Sequence, residues 1–144
     1  MEQRRFQESD IEKILEFKKK SVQVSFPDNN FNPEKYKESV LKNFEREPEG
    51  MHVLEENGKV IGFLWMSTTR TILGKCGLVH QIYIDDEFRG KGLAKKLMDC
   101  AEEYFREKNI KRIKLTVTLE NVSAIKLYEK IGYQKKRVVM EKNI

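Results

Sequence analysis

Apolar residues along this chain recur with two periods, helical in some stretches and extended in others. From Ser9 to about Lys20, Ile11, Ile14, Leu15 and Phe17 share one helical face. Ser9 followed by Glu12 is a capping-box pattern that opens this helix. Turn residues in the run Phe26-Pro27-Asp28-Asn29-Asn30-Phe31 predict a loop. Asn32 then caps a second helix, with Pro33 at its first position and Tyr36, Val40, Leu41 and Phe44 as its apolar stripe. After Pro48 and Gly50 the pattern turns extended. Met51–Glu56 and Lys59–Thr69 flank Asn57-Gly58, a pair suited to the positive φ angles of a two-residue hairpin. A second hairpin turn is predicted near Gly74-Lys75, leading into a strand from Leu78 to Asp85.

Leu93, Leu97, Ala101 and Phe105 then mark a long amphipathic helix from about Gly92 to Lys108. Ile113–Thr118 reads as a strand, Val122–Ile131 as a helix and Tyr133–Glu141 as a final strand; Arg4–Phe6 is a short first strand. The order is therefore β-αα-βββ-α-β-α-β. Hairpin-linked strands followed by a strand-helix-strand crossover imply an α/β (α+β) fold, a mixed central sheet with helices on its faces. The strands on either side of the long helix should run parallel. No repeat, low-complexity tract or linker interrupts the chain, so residues 1–144 are expected to form one domain.

Composition narrows the class. The 144 residues are 39% apolar, enough for one real core, and no run approaches the length of a membrane span. The start, Met1-Glu2-Gln3-Arg4-Arg5, lacks the apolar stretch of a secretory signal. Cys76 and Cys100 have no metal or redox spacing and read as reduced thiols, so a cytoplasmic protein is expected. His52 and His80 are too scattered for a metal site, and no metal is expected. A net charge of +5 suits a phosphate-bearing ligand or a nucleic acid, but no nucleic-acid-binding motif accompanies it.

Chemistry concentrates between Ile82 and Ala94. The run Ile82-Tyr83-Ile84-Asp85-Asp86-Glu87-Phe88-Arg89-Gly90-Lys91-Gly92-Leu93-Ala94 is a strand, a glycine turn and a helix start. Helix N-termini expose unpaired N–H groups, and glycines let that backbone approach a phosphate closely. Arg89, Lys91, Lys95 and Lys96 add positive charge suited to more than one phosphate. A dinucleotide fingerprint would need Gly or Ala at Lys95, and a P-loop would need Ser or Thr after Gly90-Lys91; both patterns fail.

Arg89-x-x-Gly92-x-Ala94 after a strand resembles the acetyl-CoA pyrophosphate loop of the GNAT N-acetyltransferase superfamily. Asn121, Ala124, Leu127-Tyr128 and Gly132-Tyr133 resemble the second half of the same signature, and Met140-Glu141-Lys142 resembles a common family ending. The resemblance covers about the last two thirds of the chain by motif and the first third by element order. It implies acetyl-CoA as cosubstrate, and a pair of parted strands, Leu78–Asp85 and Ile113–Thr118, with the pantetheine arm along the main chain of Ile82, Tyr83 and Ile84. A bulge in the first of these strands would present a free N–H to the thioester carbonyl. Residues Arg89, Gly90, Lys91, Gly92, Leu93 and Ala94 would hold the pyrophosphate, and Lys95 or Lys96 the ribose phosphate. Asn121 would touch the pantetheine arm or cap the following helix.

By the same resemblance, Tyr128 would protonate the leaving thiolate. A base for the acceptor amine is less defined: His80 has a suitable ordinary pKa, and ordered water is the alternative, since the parted strands carry no carboxylate before Glu120 at their exit. The expected activity is direct acetyl transfer to an amine in a ternary complex. The rival reading is a non-catalytic acyl-CoA sensor or interaction module. The resemblance implies two strands after Tyr133, where Gln134 to Lys142 has room for one strand or two very short ones. The acceptor site would then be open on that side or completed by a second subunit, so monomer and homodimer are both expected states. Phe26, Asp28, Phe31 and Glu34 are candidates for the acceptor's surroundings.

Overall fold

The computed structural model describes residues 1–25 and 30–144. Phe26 and Asp28, expected near the acceptor, lie outside the described residues. The elements are β1 (Glu2–Arg5), α1 (Ile11–Ser25), α2 (Pro33–Arg46), β2 (Met51–Glu56), β3 (Lys59–Thr71), β4 (Gly74–Ile84), α3 (Leu93–Glu107), β5 (Ile113–Leu115) and α4 (Val122–Lys130). The strands form one sheet in the order β1-β2-β3-β4-β5. Neighbours are antiparallel from β1 to β4, and the crossover through α3 makes β5 parallel to β4.

Two details of register shape the middle of the sheet. Trp65 faces Gln81 while Met66 faces Val79, so β4 carries His80 as an extra residue, a β-bulge. Immediately before it, β5 pairs with β4 only from Gly77↔Ile113 to Val79↔Leu115. Beyond Val79 the two strands separate, as the parted-strand expectation required.

Side chains sort onto the two faces accordingly. One core joins Leu64, Met66, Val79 and Ile84 to Leu93, Leu97, Met98, Ala101 and Phe105 of α3 and to Tyr128 of α4. The other joins Val53, Phe63, Trp65 and Tyr83 to Ile11, Ile14 and Phe17 of α1 and Val40 of α2. Gly77 matters to the first core. A Cβ there would lie 2.7 Å from the Phe105 ring, so only glycine lets α3 settle against the paired part of β4.

Several local expectations change. The N-terminal cap before α1 is made by Gln7 and Asp10, with the Gln7 N–H donating to Asp10 Oδ2 at 2.8 Å, rather than by Ser9 and Glu12. Asp10 succeeds because Arg4 also grips its carboxylate, at 2.9 Å. The Asn32 cap forms as expected, accepting from the Lys35 N–H at 3.2 Å. The turn between β3 and β4 falls at Ile72-Leu73 instead of Gly74-Lys75, and both side chains are exposed. β5 ends at Leu115 rather than Thr118. The final strand expected over Tyr133–Glu141 does not form; Val138, Val139 and Met140 are exposed. Three successive cations, Lys135, Lys136 and Arg137, interrupt the alternation that a half-buried strand needs. No described helix is long and apolar enough to cross a membrane.

Candidate functional site

At the end of β4 the chain turns through Asp85 into a short 3-10 segment and then into α3. The buried Asp85 carboxylate accepts the Asp86 N–H at 2.9 Å and pairs with Lys20 of α1 at 3.4 Å. Burial alone would raise its pKa, but Lys20, that N–H and Lys13 hold it below the usual carboxylate value. The Arg89 guanidinium folds back, donating to the Ile84 carbonyl at 3.0 Å and pairing with Asp86 at 3.1 Å, 5.3 Å from the Tyr83 ring centroid. The turn is thus braced from both sides.

Gly90 and Gly92 take φ of +76° and +75°, in the region that favours glycine. Gly92 is the N-cap of α3 and offers no side chain to it; the helix's first turn holds no acid. Its carbonyl receives the Lys96 N–H at 3.1 Å, so the N–H groups of Leu93, Ala94 and Lys95 precede the first intrahelical bond. A helix head left without cap or carboxylate, ringed by the exposed Lys91, Lys95 and Lys96, is an anion site in geometry and in charge. Lys95 already pairs with Asp99 at 2.9 Å, whereas Lys91 and Lys96 have no carboxylate within ion-pair distance among the described residues.

The opening between β4 and β5 leads to this helix head. Ile82, Tyr83 and Ile84 pair with Leu64, Phe63 and Gly62 of β3 on one side. Their other edge has no strand, because β5 has already parted. Tyr128 is buried in the α3/α4 core, 6.0 Å from Tyr133 ring to ring, and burial pushes its hydroxyl up to about 12. Such a phenol is protonated at neutral pH, as a proton donor must be. Asn121 caps α4: its side chain accepts the Ala124 N–H at 3.3 Å at the start of the helix.

The bulge sets His80 and Gln81 side by side near Trp65, with His80 exposed and Gln81 against Tyr36 of α2. The His80 ring stacks on Trp65 with centroids 4.6 Å apart, and Ser67 Oγ lies 2.5 Å from its Nε2. Desolvation, then the Arg46 charge, lowers its pKa below the ordinary 6.5, with Glu47 opposing. The ring is therefore neutral at neutral pH and able to accept a proton. Gln81 is buried and receives a hydrogen bond from the Tyr36 hydroxyl at its Oε1.

The structure thus brings the glycine turn, the open edge of β4 and His80 to one strand and its exit, with Tyr128 in the core of the face that carries α3. Two features escaped the sequence. Glu47 is buried, accepting from Tyr104 at 2.6 Å and the Thr68 N–H at 3.0 Å, where β2 no longer covers β3. Trp65 and Gln81 become neighbours only through the shifted register. Among the described residues, no group of three or more potential metal ligands occurs.

The chain belongs to the acetyltransferase (GNAT) family, whose model matches residues 12–133. An uncharacterized N-acetyltransferase of Methanocaldococcus jannaschii is 33% identical over 99 residues, covering 65% of this chain and 43% of that protein. One of Archaeoglobus fulgidus is 35% identical over 88 residues, covering 58% of each. The chain spans about half the length of the curated relatives it matches. A structure described as a predicted acetyltransferase with acetyl-CoA, from Clostridium acetobutylicum, shares the fold at a TM-score of 0.77 and 20% identity, over 99% of this chain and 95% of that one.

Proposed function

We propose that this chain is an N-acetyltransferase that moves the acetyl group of acetyl-CoA to an amine by direct attack in a ternary complex. One observation carries the reading: β4 has an unpaired edge from its bulge to its end, and that edge runs into the uncapped N-terminus of α3. The residues fit the cosubstrate. Leu93, Ala94 and Lys95 would donate main-chain N–H groups to the pyrophosphate, with Arg89, Gly90, Lys91 and Gly92 shaping the turn and Lys91 and Lys96 adding charge. Ile82, Tyr83 and Ile84 would offer main-chain groups to the pantetheine amides, as an added strand would receive them.

Bound acetyl-CoA supplies an activated acetyl group as a thioester. The chain's own work is then positional and protonic. The bulge at His80 would offer a main-chain N–H outside the ladder as an oxyanion donor. His80, held by Ser67 and Trp65, takes a proton from the attacking amine, directly or through water. Tyr128 gives its proton to the departing sulfur. The two free thiols, Cys76 buried and Cys100 partly so, support a reducing, cytoplasmic setting.

A non-catalytic acyl-CoA sensor is the second reading, favoured by the absence of any carboxylate along β4 and β5. Thiol release from acetyl-CoA, followed across a panel of amines, separates them. A transferase releases CoA in an amine-dependent manner. Binding of acetyl-CoA with no amine-dependent release leaves the sensor.

A further inference from the structure

Two hydrogen-bond donors beside the bulge find no acceptor among the described residues. Trp65 and Gln81 are register partners on β3 and β4, 6% and 8% exposed, and neither Trp65 Nε1 nor Gln81 Nε2 finds an acceptor. A buried donor without a partner is costly, so two in adjacent positions point to an acceptor group that is not part of the described chain. Tyr36 links the pair, with its ring 6.2 Å from Trp65 and its hydroxyl on Gln81 Oε1, an arrangement that leaves the Gln81 NH₂ as the donor still to be satisfied.

A cation stands over the same ring. Lys18 Nζ lies 5.3 Å from the Tyr36 centroid, and it has no carboxylate partner among the described residues. Its burial lowers its pKa, as happens to an ammonium whose charge is uncompensated. An anion seated at the two donors would compensate it. His80, stacked on the same Trp65, puts the proposed proton acceptor at the edge of this cluster.

We infer that the acceptor is a small amino acid whose carboxylate is held by Trp65 Nε1–H and Gln81 Nε2–H, with Lys18 supplying the opposite charge. This rests on the acetyltransferase reading and narrows its substrate class. The carboxylate would anchor on the α1/α2 face while the amine turns toward His80 and the gap between β4 and β5. Acceptors that carry only amines, such as diamines, would meet Lys18 as a like charge.

The test compares common L-amino acids with their decarboxylated amines, their carboxamides and the matching dipeptides, using acetyl-CoA and a thiol reagent. For the best amino acid, kcat/KM is expected to exceed that of the decarboxylated amine at least about tenfold. Lys18→Met should raise the acceptor KM about tenfold with the acetyl-CoA KM unchanged. Gln81→Glu keeps an acceptor for Tyr36 and should reverse the order, favouring the decarboxylated amine. Because Trp65 is the one tryptophan in the chain, its fluorescence gives a readout without turnover. With CoA present, the amino acid should change it saturably and the decarboxylated amine should not. Equal turnover of the pair, equal fluorescence response, or a preference for the dipeptide overturns the carboxylate site while leaving acetyl transfer intact. Loss of all amine-dependent thiol release, with no fluorescence response to any amino acid, removes both.

Discussion

The two parts of β4 on either side of its bulge are built for different ends. From Gly77 to Val79 the strand is paired on both edges, by β3 and by β5, and Phe105 packs against the bare Cα of Gly77. From His80 to Ile84 it keeps β3 but, among the described residues, has no partner on the other edge, and around it lie polar atoms of Trp65, Gln81 and Tyr83 without partners among those residues. An interior strand with one bare edge forgoes hydrogen bonds that the fold could have made. The closed part supports the fold; in the proposed reading the open part is where a ligand's amides and charges substitute for the missing strand.

The largest test of this contrast lies in the chemistry at the open part. Tyr128→Phe should lower kcat by about a hundredfold, within the range typical of a lost proton donor. Its CoA affinity should stay within about twofold, by calorimetry beside steady-state rates. An unchanged kcat removes Tyr128 from the mechanism.

The closed part should answer in stability instead. Gly77→Ala brings a Cβ to 2.7 Å from the Phe105 ring. Overpacking of this kind costs about 1–3 kcal/mol, read as a lower Tm or denaturation midpoint. A variant as stable as the parent would show that α3 can shift, and that the tight contact does not fix the gap.

A smaller effect is expected from His80→Gln, about a tenfold loss in kcat/KM. The pH profile sharpens it. The folded His80 has a pKa below 6.5, so the acid limb of kcat/KM should fall with a midpoint under that value and vanish in the variant. The sign carries over to stability. Below about 6.5 the unfolded chain takes up a proton that the fold resists, so this group's contribution to stability declines as pH falls. The smallest effect belongs to Asn121→Ala, which removes the cap of α4 at a cost of about 1 kcal/mol without touching CoA affinity. A loss of CoA affinity instead would return Asn121 to the ligand.

Much of this was legible in the residues. Asn57-Gly58 marks its hairpin because its residues tolerate the φ values of 51° and 76° that the turn adopts. Gly90 and Gly92, followed by an apolar period of four, announce a strand-to-helix turn with a bare helix head. What stayed hidden depends on register or on distant partners. Asp10 displaces Ser9 and Glu12 at the first cap because Arg4 reaches it across the chain. Trp65 and Gln81 are sixteen positions apart in sequence, and only the bulge at His80 makes them face each other with spare donors. Glu47 looks like an ordinary helix-end acid until β2, which starts only at Met51 opposite Trp65, leaves the Thr68 N–H for it to fill. The stretch after Tyr133 reads as a strand from the sequence, but Lys135, Lys136 and Arg137 break the alternation and no strand forms there.

The most direct measurement compares CoA and acetyl-pantetheine by calorimetry on the same protein. If the head of α3 grips the diphosphate while the bare edge of β4 takes the pantetheine arm, CoA binds with a measurable Kd and acetyl-pantetheine at least about tenfold more weakly. No heat of binding with CoA, or equal affinity for the two, contradicts the account.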